Sequence, residues 1–237
     1  MGVKERQERD RQAVRDAILG AARDLFLTEG YRNVSMRKVA ERIEYSPAAI
    51  YSYFSSKDDI FFALAEEGFR RLAAAGLRAS TAASDPVDRL RSGMWAFYEF
   101  SKEQPDFFEL MFLDRSVPSL SQDFERFEFF REVTARAEAD IRACSARGLF
   151  KPDLDAAAAL HILWVAMLGA ASVGLAKRLG PGEDPDALAH DVLETTLAGF
   201  GAGGATTTFK AFECPFSTAS EGDPPVSADD STHDHAS

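Results

Sequence analysis

The first regular pattern of apolar and polar positions runs from Gln12 to Glu29. Val14, Ile18, Ala22, Leu25 and Phe26 recur there at helical spacing and define one buried stripe. Gly30, able to take the left-handed backbone that closes a helix, ends it. A second, shorter pattern follows Ser35, a good N-cap because its hydroxyl can accept a hydrogen bond from a free amide one turn on. Met36, Val39, Ala40 and Ile43 face inward, and Arg37, Lys38, Glu41 and Arg42 outward. Glu44 and Tyr45 then make a turn. Ser46 caps a third helix and Pro47 takes its first position, where a missing amide proton costs nothing. Ile50 and Phe54 lie one turn apart and share the buried side. Pro47, Ala48, Ala49, Ser52 and Tyr53 are left for the exposed side. A face of small and hydroxyl residues serves solubility poorly, but it suits close approach to the floor of a DNA major groove.

Beyond Lys57 the pattern stays helical to about Phe200, without the alternation of a strand. Asp85-Pro86, Gln104-Pro105, Val117-Pro118, Gly148, Lys151-Pro152 and Gly180-Pro181-Gly182 punctuate it. The expected helices are 57–80, 86–103, 105–114, 120–147, 153–179 and 184–200, making nine with the first three. The fold class is therefore all-α: a three-helix helix-turn-helix unit followed by a larger helical domain. Its expected segments are an N-terminal arm (1–11), the helix-turn-helix unit (12–56) and a helical body (57–200). An extension (201–216) and an acidic tail (217–237) follow; the tail lacks apolar anchors and is expected to be disordered.

Residues 10–65 resemble the DNA-binding domain of the tetracycline-repressor (TetR) family of bacterial regulators. The most telling stretch is IYSYFSSKDDIFFAL, Ile50 to Leu64, which is similar to the family's aliphatic-Tyr-x-x-Phe-x-x-Lys-acid-x-aliphatic signature. Val34, Ser35, Arg37, Val39 and Ala40 fit the preceding helix, and Ser46 fits the turn. Glu44 stands where the family usually has glycine, so this turn must accept a negative side chain near the DNA. The resemblance implies phosphate contacts from Ser35, Ser46, Tyr51 and Lys57, and base-edge contacts from among Arg37, Pro47, Ala48, Ala49 and Ser52. Of these only Arg37 can contact guanine in bidentate fashion, and the two alanines can only pack on thymine methyls or admit the backbone. Ser35 and Ser46 would also serve as plain caps. Tyr53 reads equally as a DNA contact and as half-buried ring packing. Lys57 sits badly for a helix dipole, which points to an anion outside the chain.

Charge sharpens this picture. The chain of 237 residues carries a net −11. Residues 1–60 hold 11 Lys or Arg against 10 Asp or Glu, so the remainder holds 16 against 28. A near-neutral head on an acidic body suits site-specific rather than general nucleic-acid binding. Lys4, Arg6, Arg9, Arg11 and Arg15 could form an arm that touches DNA. Glu5, Glu8 and Asp10 are interleaved with them, however, and a solvated, self-paired run is the simpler reading. Two cysteines, Cys144 and Cys214, make no disulfide framework, and the charged run from Met1 to Asp10 leads us to expect no signal peptide. His233 and His235 sit in the acidic tail as solvated residues rather than a metal site, and no cofactor is expected. The most apolar stretch, Leu160 to Ala176, falls short of the roughly 20 residues of a membrane span and reads as a buried helix. A cytoplasmic protein with no membrane partner is expected.

Rings crowd the middle of the body, and most of them must build the core. Apolar walls with a few polar groups also describe a small-molecule pocket. Its candidate lining is Trp95, Tyr98, Met111, Phe112, Phe127, Phe130, His161 and Trp164, with His161 read more simply as a core histidine. The implied effector is hydrophobic or aromatic, and the surrounding acids would also suit a cationic one. Leu160, Leu163, Val165, Leu168, Val192, Leu193, Thr196 and Leu197, with small residues from Gly169 to Gly174, suit a homodimer built as a four-helix bundle.

The expected function is a ligand-responsive repressor that leaves a palindromic double-stranded operator when a small molecule binds its body. Its rivals are a helical-bundle enzyme and a protein–protein adaptor. The enzyme lacks any nucleophile–base spacing or phosphate loop. The adaptor has no need for hydroxyl and lysine groups at the helix ends between Ser35 and Lys57.

Overall fold

The computed structural model describes residues 2–118 and 128–201, with backbone only for Val3 and for residues 128–130. Phe127 and everything beyond 201, including Cys214, His233, His235 and the expected extension and tail, lie outside the described residues. Among the described residues all regular structure is helical. The head holds α1 (Val3–Glu29), a 3-10 turn (Tyr31–Asn33), α2 (Met36–Arg42) and α3 (Pro47–Tyr51). The body holds α4 (Lys57–Thr81), α5 (Pro86–Glu103), α6 (Pro105–Phe108), α7 (Glu128–Ala146), α8 (Ala156–Leu175) and α9 (Pro185–Phe200). A π-helical turn, Glu109–Leu113, continues α6.

Local chemistry starts these elements where expected. Ser35, Ser46, Ser56, Asp85, Asp155 and Asp184 each accept a backbone N–H at the start of a helix. Proline occupies the opening of α3, α5, α6 and α9. The run expected to be an arm is instead the first part of α1, which begins at Val3, nine residues ahead of Gln12. Its alternating charges support a solvated helix rather than a free strand of chain. The expected helix at 105–114 is α6 plus the π-helical turn, and α8 is shorter at both ends than 153–179.

The head closes on one core. Ile18, Ala22, Leu25 and Phe26 of α1 are buried with Val39 and Ala40 of α2, Ile50 of α3, Phe54 and Phe61. Rings continue that core toward the body: Phe26 meets Tyr31 at 5.0 Å between centroids, and Tyr31 meets Phe61 at 5.8 Å. In the body α5 is central and packs against α4, α7, α8 and α9. Gly68 of α4 gives the π-helical turn its seat, because any Cβ there would collide with the Met111 sulfur. A π-turn docked on glycine brings Phe112 within ring contact of Phe69, Phe97, Phe108 and Trp164.

α8 departs from the sequence expectation. At 20 residues it is long and apolar enough to cross a membrane, yet only 33% of its apolar window is buried within the chain. It is neither too short nor simply buried. Leu163, Met167, Ala170 and Ala171 face the core, whereas Ile162 and Val165 are 55% and 51% exposed. One side of this helix packs on its own chain, and the other side faces outward.

Tyr98 and Asp186 tie α5 to α9. The buried Tyr98 hydroxyl donates to Asp186 Oδ1 at 2.7 Å, and Lys102 Nζ donates to the same atom at 3.0 Å. The Tyr98 hydrogen bond first, and Lys102 second, hold the Asp186 carboxyl below the usual carboxylate range. Stability from this pair is therefore complete above the unfolded carboxylate value of about 3.9 and is lost as pH falls through the lower folded value. Tyr98→Phe is expected to cost about 1 kcal/mol at pH 7 and to flatten the fall in melting temperature on acidification. Thermal melts from neutral pH to pH 2 check both; an unchanged acid limb removes Asp186 from the account.

Candidate nucleic-acid interface

The outer sides of α2, the turn and α3 mix polar groups with small apolar ones. Arg37 is 79% exposed and, among the described residues, is held by Glu41 one turn on at 2.8 Å. An exposed pair of this kind is worth little, so Arg37 is free to exchange Glu41 for a stronger partner. Pro47, Ala48, Tyr51 and Ser52 are exposed and Ala49 is half-buried, with Ile50 beneath them. Tyr51 stands 54% exposed.

Hydrogen-bond direction narrows what each hydroxyl can do. The Ser35 and Ser46 oxygens accept from Lys38 N at 3.3 Å and Ala49 N at 3.2 Å. Both keep their own O–H to donate, so capping and phosphate contact are compatible roles. Ser52 instead donates its proton to the Ala49 carbonyl at 2.7 Å. It is left as an acceptor, which fits the amino group of adenine or cytosine better than a phosphate. That distinction depends on rotamer and cannot be read from residue type.

Tyr53 and Lys57 have partners inside the head. The Tyr53 ring packs half-buried against the core, with the Arg11 guanidinium 5.9 Å from its centroid. Lys57 Nζ donates to the Tyr31 carbonyl at 2.8 Å and stands 4.1 Å from the Tyr31 ring centroid. The helix dipole points to an anion outside the chain, and Tyr31 adds a partner inside it. An ammonium has three donors, so the carbonyl bond leaves capacity for a phosphate. Tyr31 in turn donates its hydroxyl to Asp58, and burial, with Asp58 beside it, pushes its ionisation upward. The 3-10 turn after α1 and the first turn of α4 are thus clamped together.

The turn itself carries strain. Glu44 has φ of 60°, in the left-handed region that favours glycine. Tyr45 N reaches back to the Ala40 carbonyl at 2.9 Å, the long bond of a helix-closing motif that places Glu44 at its glycine position. Glu44→Gly is expected to stabilise the head by about 1 kcal/mol and, by removing a negative charge, to tighten duplex binding several-fold. Urea melts and fluorescence anisotropy read the two effects separately; a weaker duplex complex would show that Glu44 makes a useful contact.

The body places the expected effector lining differently from a pocket. Tyr98 and Met111 are buried core, and Phe112 and Trp164 fill a row of touching rings. His161 is exposed beside Trp164, at 5.6 Å between rings, rather than a core histidine. Trp95 joins Tyr98 and His190. Phe127 lies outside the described residues, and Phe130 is described by its backbone alone. A cleft of about 730 Å³ lies elsewhere, between α1 and α4, and none of those eight residues lines it. Sequence reasoning misses this cleft because its two walls lie far apart in the chain. Among the described residues no cluster of three His, Cys, Asp or Glu could hold a metal. Cys144 is buried, which pushes its thiol up to about 11.

Comparison with known proteins matches both halves. Residues 18–64 fit the profile of bacterial regulatory proteins of the tetR family, and residues 90–196 fit the tetracyclin repressor-like C-terminal domain. The chain is 31% identical over 142 residues to the HTH-type transcriptional regulator HbdR of Aromatoleum sp. (strain CIB). That match covers 58% of this chain and 60% of HbdR, so the chain spans less than two thirds of that relative's length. The HTH-type transcriptional repressor Rv1474c of Mycobacterium tuberculosis is 29% identical over 195 residues, 78% of this chain and 93% of the relative. The TetR family regulator PfmR from Thermus thermophilus superposes with a TM-score of 0.60 at 25% identity, covering 76% of this chain and 96% of that one. These relatives are named as regulators and none as an enzyme. A head with an exposed α3 and a helical body, each fitting its own half of one family pattern, place the chain in the TetR family of bacterial transcriptional regulators.

Proposed function

We propose that this protein is a ligand-responsive repressor that binds operator DNA in the cytoplasm as a homodimer, one α3 in each of two major grooves. The carrying observation is the surface from Ser35 to Ser52, where exposed hydroxyl, guanidinium and small side chains retain hydrogen-bonding capacity that the fold does not use. Two-fold symmetry would set the half-sites about 34–36 Å apart, or a multiple of that, and make the operator a palindrome. The outward side of α8, with Ile162, Val165 and Gly169 on one stripe, supports pairing through α8 and α9.

The effector is a hydrophobic or aromatic molecule taken up at the ring row of Phe97, Phe108, Phe112 and Trp164. Those rings touch one another, so a ligand must part them. Uptake and rearrangement of the π-helical turn on α4 then become one step, and a ligand that favours the parted state shifts the population off DNA. Sequencing the genomic DNA retained by the purified protein tests this directly. A recurrent palindrome is expected; retained DNA without a common motif at moderate salt sinks the repressor reading.

A further inference from the structure

The cleft between α1 and α4 has the chemistry of a second binding site, distinct from the ring row. We propose that it binds a small organic carboxylate: the anion lies between the Arg23 and Arg71 guanidinium groups, and the apolar body lies against Leu19 and Leu64. Its volume of about 730 Å³ suits such a molecule.

Charge in the cleft is unevenly matched. On α4, Arg70 pairs with Glu66, and Arg71 pairs with Glu67 and donates to Gln104 Oε1 at 3.1 Å, partners that a bound anion would share. On α1, Arg15 has no ion pair among the described residues, and Asp16 is taken up by Gln12 at 2.7 Å. Among the described residues Arg23 pairs with its neighbour Asp24 alone, at 3.8 Å and facing solvent. Arg23 Nε is buried and has no acceptor among the described residues. A buried donor on a cation is costly to leave unmade. Arg23 and Arg71 also share one ring, their guanidinium carbons standing 5.4 Å and 4.8 Å from the Phe107 centroid. Two cations at one ring, one of them with a buried N–H unmet and only a long pair to a solvent-facing acid, form a place for an oxyanion, and a carboxylate meets guanidinium groups with two oxygens.

Gly20 adds an independent observation. It lines the cleft in the middle of α1, where glycine is a poor helix residue. A Cβ there would meet nothing within 4 Å, so packing does not demand glycine. The space above it is open to a ligand.

Occupancy would reach the DNA-binding unit through Arg15, which lines the same cleft and stands 5.3 Å from the Phe54 ring centroid beyond α3. An anion that draws Arg15 inward takes it off Phe54. This coupling rests on the proposed repressor function, whereas binding in the cleft does not.

Calorimetric titration of the full chain without DNA decides the matter, using octanoate, benzoate and inorganic phosphate as probes. Both carboxylates are expected to bind with Kd of about 0.1–1 mM, and phosphate to bind far more weakly. Arg23→Gln and Arg71→Gln should each weaken binding about tenfold. Gly20→Leu should abolish it while raising the melting temperature. The proposal is overturned if neither carboxylate gives saturable heat, if phosphate binds as well as they do, or if Arg23→Gln or Gly20→Leu leaves binding intact. Anisotropy with an operator duplex is read separately. A chain that binds octanoate but no duplex keeps this site and loses only the repressor function.

Discussion

Replacing Ile162 and Val165 together by glutamate is expected to leave the chain monomeric and to weaken operator binding by about 10²–10⁴-fold. Both side chains are more than half exposed on the outward side of α8, so the isolated subunit loses no core packing. Pairing through that side would bury four carboxylates, two from each copy, in an apolar seam, and each would be desolvated without a partner. The DNA effect follows from geometry rather than from any contact. A dimer presents its second α3 at high effective concentration once the first is seated, and a monomer forfeits that factor. Sedimentation velocity reports the subunit state, circular dichroism reports the fold, and anisotropy reports the operator. A folded variant that remains dimeric would move the interface off α8.

The second large effect belongs to the head. Tyr51→Ala combined with Lys57→Ala is expected to weaken binding to every duplex by about 2–4 kcal/mol, from one neutral and one charged phosphate contact. The two residues separate by salt. Losing Lys57 should lower the slope of log K against log salt by about one, whereas losing the uncharged Tyr51 should lower affinity without changing the slope. Lys57→Ala also removes the 2.8 Å bond to the Tyr31 carbonyl, and a melting curve reads that loss independently of DNA. Arg37→Ala behaves differently: about 1–3 kcal/mol should vanish at the preferred site and much less elsewhere, so the gap between right and wrong sites narrows. An unchanged salt slope in the Lys57 variant would end its assignment to phosphate.

Much of this architecture is legible in the sequence because its signals are local. Caps at Ser35, Ser46 and Asp85 and prolines at positions 47, 86, 105 and 185 fix helix starts within a few residues. The start of α1 is hidden because its first turns carry charges and no apolar stripe. The burial of α8 is hidden for the opposite reason. A helix apolar all round does not say which side its own chain covers, and Ile162 escapes notice although it shares a stripe with Val165 and Gly169. Composition directs the search for an effector lining to the rings, yet rings pack on one another as readily as on a ligand. The cleft needs the third dimension: Arg15 and Arg23 gain meaning only when Arg71 and Phe107 are brought beside them.

The clamp of Tyr31 with Lys57 and Asp58 has a practical consequence for grafting. Any chimera that exchanges heads between relatives must take its crossover beyond Asp58, inside α4, so that both halves of the clamp come from one parent. A junction placed in the loop before Lys57 would split the tie, and the transplanted reader would sit loosely on its new stem. With the join a turn or two further along, operator choice and effector choice become interchangeable parts.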